Sequence, residues 1–207
     1  VYMWGEAIEK RSKETGAHVK RVAKISEILG LRYGLSPNEA KMIKLASPLH
    51  DFGKIAVPDE ILHKPGKHDA DEWEIMKAHA QIGEEILCTS SRRILKLGAI
   101  IAGQHHERWD GNGYPNGLKG EDLHIAGRIT AIADVFDAMG SKRCYKEAWA
   151  LDDIVELIEN ESGKQFDPLL VDLLIANLDE IAAVRDAHPD WLLESPSTIT
   201  IDSRCCD

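Results

Sequence analysis

No apolar run in this chain approaches the roughly 20 residues needed to span a bilayer, and no secretory signal is visible. No membrane span is expected in this segment on that ground, and the chain is expected to be cytoplasmic. Cysteine is sparse. Cys88, Cys144, Cys205 and Cys206 show no CxxC spacing, which suits free thiols in a reducing compartment better than a disulfide framework. Positive charge is in deficit. The 25 Lys and Arg stand against 35 Asp and Glu, a formal net charge of -10, so nonspecific attraction to nucleic acid is not expected. Repeats and low-complexity segments are absent, and 43% hydrophobic with 29% charged residues is a globular balance rather than a disordered one. The 207 residues suffice for one large domain or a domain with appendages. A start at Val1 rather than Met leads us to expect an excerpt of a longer protein.

What is present is helix signal. Residues 3 to 29 carry apolar residues at helical spacing, with charge between them, and read as one long amphipathic helix that breaks at Gly30 to Gly34. Ser36-Pro37-Asn38-Glu39 supplies an N-cap, a first-turn Pro and a capping-box Glu, and starts a helix running to Leu49. Ile55 to His68, with Pro58, Pro65 and Gly66, reads as irregular. Asp69 with Glu72 starts the next helix, through Leu87. Ser90 or Ser91 is expected to cap a helix from Arg92 to Gln104, and a further helix spans about Ile125 to Met139. Asp152 to Glu161 is amphipathic, and Phe166-Asp167-Pro168 starts a helix reaching Leu178 and Ile181. From Leu192 the chain reads as a loose tail. The expected fold class is all-α and bundle-like.

Polar residues interrupt these apolar faces. Glu14 and His18 are four apart and share a helix face. His50-Asp51 ends a helix beside Gly53, His79 lies near the apolar face of its own helix, and His105-His106 end an apolar run before a Gly-rich turn. Asp134 sits inside an apolar helix, where a carboxylate is costly unless paired or metal-bound. Any one of them alone reads as a satisfied core residue or a solvated pair. Eight unrelated polar groups in one core are not expected, because buried polar groups need partners. Metal coordination accounts for all eight at once. The donors are nitrogen and oxygen only, a set that suits iron, manganese or other first-row ions. Eight ligands exceed the needs of one ion, so two or three are expected. Two ions about 3.5–4 Å apart clamp a phosphoryl group and lower the pKa of bound water.

The motifs Glu14-x-x-x-His18, His50-Asp51-x-Gly53-Lys54, His79, His105-His106-Glu107-x-x-Asp110-Gly111-x-Gly113-Tyr114-Pro115, Ala133-Asp134-Val135-Phe136-Asp137-Ala138 and Arg143-x-Tyr145-Lys146 together resemble the HD-GYP family, a subgroup of the HD metal-dependent phosphohydrolases, over about residues 14 to 175. The resemblance implies an HD-type helical bundle with its metal centre in the core, in a catalytic domain over residues 1–185 followed by a tail over 186–207. It implies hydrolysis of cyclic di-GMP to linear pGpG or GMP, a bacterial signalling role, and an upstream sensor or receiver domain outside this chain. A diguanylate cyclase (GGDEF) partner and a homodimer go with it.

Residue by residue, the resemblance implies that His18, His50, Asp51 and Asp134 hold one ion. His79, His105 and His106 hold the second, with Asp51 bridging, and Glu14 serves a third. Asp51 and Lys54 carry the catalysis. Lys54, Tyr114, Arg143 and Lys146 contact substrate, and Asp110 shapes its loop. Gly140 and Cys144 depart from the family pattern beside Arg143, and so bear on dinucleotide preference. The alternatives are a phosphodiesterase specific for cyclic GMP-AMP, a non-catalytic cyclic-dinucleotide receptor, an HD-type di-iron oxygenase, and a helical interaction module.

Overall fold

The structure, a computed structural model, describes residues 1–12, 16–141 and 148–189. Ten α-helices are present among them: α1 (Tyr2–Arg11), α2 (Gly16–Tyr33), α3 (Pro37–Ala46), α4 (Asp59–Leu62), α5 (Ala70–Cys88), α6 (Arg93–Gln104), α7 (Ile125–Gly140), α8 (Leu151–Asn160), α9 (Pro168–Ala176) and α10 (Leu178–Ala187). The only β-type pairing among the described residues is a single bridge between Ser162 and Phe166. No helix of the described residues is long and apolar enough to cross a membrane.

The long first helix expected from periodicity is two helices. Ser12 caps the end of α1, and α2 begins afresh at Gly16. The break expected over Gly30 to Gly34 falls only at its far end. Gly30 is inside α2 and packs against Ala40, whereas Gly34 has φ +98, a left-handed conformation that closes the helix. Both capping boxes form: Ser36 Oγ accepts from Glu39 N, and Asp69 accepts from Glu72 N. Neither Ser90 nor Ser91 caps α6. Its N-cap is Arg92, and Ser90 Oγ only receives the Arg92 N–H at 3.2 Å. The helix from Ser36 ends at Ala46, followed by 3₁₀ turns over Ser47–Leu49 and Phe52–Ala56. The stretch read as irregular holds part of that second turn and the short α4. The last expected helix divides at Asn177 into α9 and α10. The tail from Leu192 lies outside the described residues.

The core explains the order. Val22, Ile25 and Leu29 of α2 meet Ile43 of α3, Ile101 of α6 and Ile129, Ile132 and Phe136 of α7. The cluster continues through Ile154 and Ile158 of α8, Leu170 and Leu174 of α9, and Ile181 of α10. A smaller cluster, Leu49, Leu87, Ala99 and Ala102, lies under the 3₁₀ turns. Burying a side chain of this size stabilises by about 1.5–3 kcal/mol. The two clusters hold α2, α5, α6 and α7 around the segment that carries His50 and Asp51.

Candidate metal centre

His50 and Asp51 lie between two 3₁₀ turns and belong to their main-chain bonding, with His50 N donating to Ser47 O and Lys54 N to Asp51 O, each at 3.0 Å. The second turn presses on α5. A Cβ on Gly53 would overlap the His79 carbonyl, so the absence of a side chain there lets the turn dock beside His79. Residues 26 positions apart are thereby fixed in register.

Three imidazoles are set in one manner. His50 Nδ1 lies 2.9 Å from Ser47 O, His79 Nδ1 2.7 Å from Met76 O, and His105 Nδ1 3.0 Å from Ala102 O. A carbonyl only accepts, so each Nδ1 carries a proton and donates it, and in the neutral ring each Nε2 is the atom that offers a lone pair. All three Nε2 atoms are buried and none has a hydrogen-bond partner. They converge on one carboxylate. Asp51 Oδ2 is 3.3 Å from His50 Nε2, while its Oδ1 is 3.3 Å from His79 Nε2 and 3.7 Å from His105 Nε2. One oxygen faces one group and the other oxygen faces the next. His106 completes the second group, its ring 5.0 Å from that of His79. Ligand atoms of Asp51, His79, His105 and His106 all lie within 4.8 Å of one another.

His18 is held differently. Its Nδ1 lies 2.7 Å from Asp137 Oδ2, and Asp137 in turn receives Arg21 Nε at 2.6 Å and Arg21 Nη2 at 3.0 Å. Its Nε2 faces Asp134 Oδ1 at 3.2 Å, and the same oxygen is 3.9 Å from His50 Nε2. Glu9 of α1, buried to 1% exposure, brings Oε1 to 3.9 Å from His50 Nε2. Glu9, His18 and His50 form a second set of ligand atoms within 4.8 Å of one another.

The field across the centre is uneven. Burial opposes charge on His50, but the Asp51, Asp134 and Glu9 carboxylates outweigh it and push the group up to about 9. Burial likewise opposes charge on His18, and Asp134 and Asp137 overcome it. At the other end burial and the neighbouring imidazoles push His105 and His106 down. Burial works against the Asp51 charge, yet Lys54, with Nζ 2.6 Å from Oδ2, and the imidazoles hold it well below the usual range. Buried carboxylates that favour a proton on His50 favour any cation there, and the lone pairs aimed at Asp51 supply donors. The residues fit divalent metal ions: nitrogen and oxygen donors, buried, with two imidazole groups sharing one carboxylate.

The structure therefore brings together His18, His50, Asp51, His79, His105, His106 and Asp134, with Lys54 against Asp51 and Tyr114 stacked on His106 at 4.8 Å and 25°. Glu14, Arg143, Lys146 and Cys144 lie outside the described residues. Glu9 was not singled out by the sequence, nor were Asp137 and Arg21 as a support for His18. Asp137 carried a readable signal, since it lies three residues from Asp134 in an apolar helix. Glu9 carried none once residues 3 to 29 were read as one helix. In the loop, the buried Glu107 carboxylate accepts from Asn116 N at 2.6 Å and Leu118 N at 3.1 Å, while Asp110 accepts from Asn112 N at 2.9 Å and pairs with Arg108. Gly140, a departure from the family pattern, lies under the Arg185 guanidinium, which donates to its carbonyl.

A helical bundle with a buried His and Asp centre of this kind defines an HD-type domain. The model of the HD domain family matches residues 3–170, and the chain belongs to that family. It is 56% identical over 190 residues to the 3′3′-cGAMP-specific phosphodiesterase 2 of Vibrio cholerae, covering 92% of this chain and 36% of that protein. It is 47% identical over 178 residues to the cyclic di-GMP phosphodiesterase response regulator of Xanthomonas campestris, covering 84% of this chain and 47% of the relative. A solved cyclic GMP-AMP-specific phosphodiesterase of V. cholerae shares the fold, with a TM-score of 0.64 at 17% identity over 91% of this chain and 54% of that one. The chain thus spans between a third and a half of the length of these curated relatives.

Proposed function

We propose that this chain is a metal-dependent phosphodiesterase that hydrolyses cyclic di-GMP to linear pGpG and/or GMP. The observation that carries the reading is Asp51, one carboxylate shared between His50 on one oxygen and His79 and His105 on the other, with the Lys54 ammonium on it. In this reading the centre holds two or three divalent ions, iron or manganese. His18, His50, Asp51 and Asp134 serve one. Asp51, His79, His105 and His106 serve the next. Glu14, as the resemblance implies, and Glu9, by its nearness to His50, serve a third. Such ions polarise a phosphoryl group and activate water near neutral pH.

The protein's own groups set the geometry. The Nδ1 bonds to Ser47, Met76 and Ala102 lock three imidazoles with Nε2 forward, and Asp137 does the same for His18. Lys54 faces the same space and is suited to balance charge on a non-bridging phosphate oxygen. Tyr114, its phenol pushed further up from its ordinary value mainly by burial, walls the site beside His106, and Arg143 and Lys146 serve the remaining phosphate or the base. The receptor and oxygenase alternatives lack a specific observation in their favour.

A second reading has one. The 56% identical relative is named for 3′3′-cGAMP, so that dinucleotide is the other substrate to test. Metal-loaded protein is expected to cleave cyclic di-GMP or 3′3′-cGAMP when both are assayed side by side, and Asp51→Ala to abolish cleavage. Protein that binds metal but leaves both intact would refute the function. The whole protein fits a cytoplasmic signalling role, with an upstream sensor or receiver domain, the catalytic domain over 1–185, a diguanylate cyclase partner and a homodimer.

A further inference from the structure

Trp73 is exposed to 45% on α5, one and a half turns before His79. Exposure alone does not single it out, since Trp4 is exposed to the same 45%, but it leaves a large apolar ring open to a ligand. Other exposed tryptophans exist, but Trp73 alone among the described ring contacts joins a chain of rings leading into the metal centre. Its ring centroid is 6.2 Å from that of Tyr114, and Tyr114 is stacked on His106. Trp73 and Tyr114 cross at 79°, so the two rings do not cover each other face to face. His68 lies on the outer flank, 6.4 Å away and tilted by 35°. One turn along α5, Lys77 Nζ lies 5.9 Å from the Tyr114 ring centre and 2.8 Å from Glu74, a mostly exposed carboxylate. A pair so exposed is weak and exchangeable for a phosphate oxygen.

The chemistry of the ligand fits this rim. A cyclic dinucleotide carries its phosphates at the centre and its two bases at the ends. With a phosphate over the buried imidazoles, a base directed past Tyr114 meets the indole as the next ring. Base stacking on an aromatic ring tolerates any purine, so one platform serves guanine and adenine alike.

We propose that Trp73 is the stacking platform for one nucleobase of the cyclic dinucleotide, with Lys77 beside it for the sugar–phosphate. The proposal rests on the phosphodiesterase reading above. It is tested on metal-loaded protein with cyclic di-GMP and 3′3′-cGAMP. Trp73→Ala is expected to raise KM about tenfold for the substrate that the wild type cleaves, with a much smaller change in kcat and the same metal content, and Trp73→Phe to recover most of the loss. If Trp73→Ala is insoluble, the decision passes to tryptophan emission before turnover, quenched by the dinucleotide in wild type and much less in Trp73→Phe. Unchanged KM in Trp73→Ala, equal quenching in Trp73→Phe, or a loss confined to kcat and metal content would make Trp73 a brace for the loop and overturn the proposal. A wild type inert toward both dinucleotides would instead sink the phosphodiesterase reading beneath it.

Discussion

At the scale of single residues, His18 shows how much of the centre is support. Its Nδ1 is fixed by Asp137, and Asp137 is fixed by Arg21, all three buried. Outer partners of a ligating histidine typically govern metal affinity by 10–100-fold. Asp137→Asn is therefore expected to weaken metal binding by roughly that factor, read by titration with manganese against a competing chelator. Arg21→Ala should act through stability instead. It leaves a buried carboxylate with half its partners, a loss of about 3–5 kcal/mol by chemical denaturation. The ligand types were legible because polar residues in apolar faces are rare enough to count. What the sequence could not supply was the second partner of each. His50, His79 and His105 are anchored by main-chain carbonyls, which leave no trace in side-chain identity, and Glu9 reaches the site because α1 packs against the 3₁₀ turns beside it. For Glu14, Arg143 and Lys146 the expectation rests on the motif alone.

At the scale of elements, ends were easier to read than middles. Ser36 with Glu39, Asp69 with Glu72, and Asp167 before Pro168 all cap where local chemistry placed them, because a cap is a contact within four residues. Asp167 does more, since its Oδ2 also receives Arg128 at 2.7 Å. Asp167→Ala is expected to cost about 2 kcal/mol, while Asp167→Asn keeps the cap and loses less, both read from denaturation midpoints. The start of α7 has a cap that periodicity did not reveal: His124 Nδ1 accepts from Ala126 N at 3.1 Å. Burial, with Arg128 nearby, lowers His124 below 6.5. A lowered histidine favours the folded state while it is neutral. Its contribution is full above pH 6.5 and is lost as pH falls toward the lower folded value. Wild type should lose more stability than His124→Asn between pH 7 and 5, and parallel losses in the two would refute the assignment. The 3₁₀ turns around His50 and Asp51 escaped the sequence because five residues are too few to show a period, and the division of α9 from α10 escaped because Leu178 and Ile181 continue the apolar pattern across it.

At the scale of the molecule, an acidic chain gathers Glu9, Asp51 and Asp134 in its interior, where they need cations. Metal binding should therefore stabilise the fold. A ligand at 100 times its dissociation constant contributes about 2.7 kcal/mol, and for a domain of this size that corresponds to roughly 5–10 °C in Tm. Chelation is expected to lower Tm by that amount in scanning calorimetry, with recovery on adding manganese or ferrous iron. A Tm indifferent to chelator would show that the buried polar groups balance one another without metal. The all-α class was legible from periodicity alone. The meeting of residues from five stretches of chain was legible only as an argument that so many polar groups must share a purpose, since no spacing within the sequence encodes a distance through space.

The contact at Gly53 has one more consequence. Between this turn and α5 there is room for a hydrogen atom and for no carbon, so the two backbones touch directly. Asp51 rides on one of them and His79 on the other. The width of the centre is thus gauged by main chain against main chain, like a feeler blade between two plates, and it does not depend on which rotamers the surrounding side chains adopt. Gly53→Ala would widen the gap rather than fill it. Every group that spans from Asp51 to His79 would then lose its reach together.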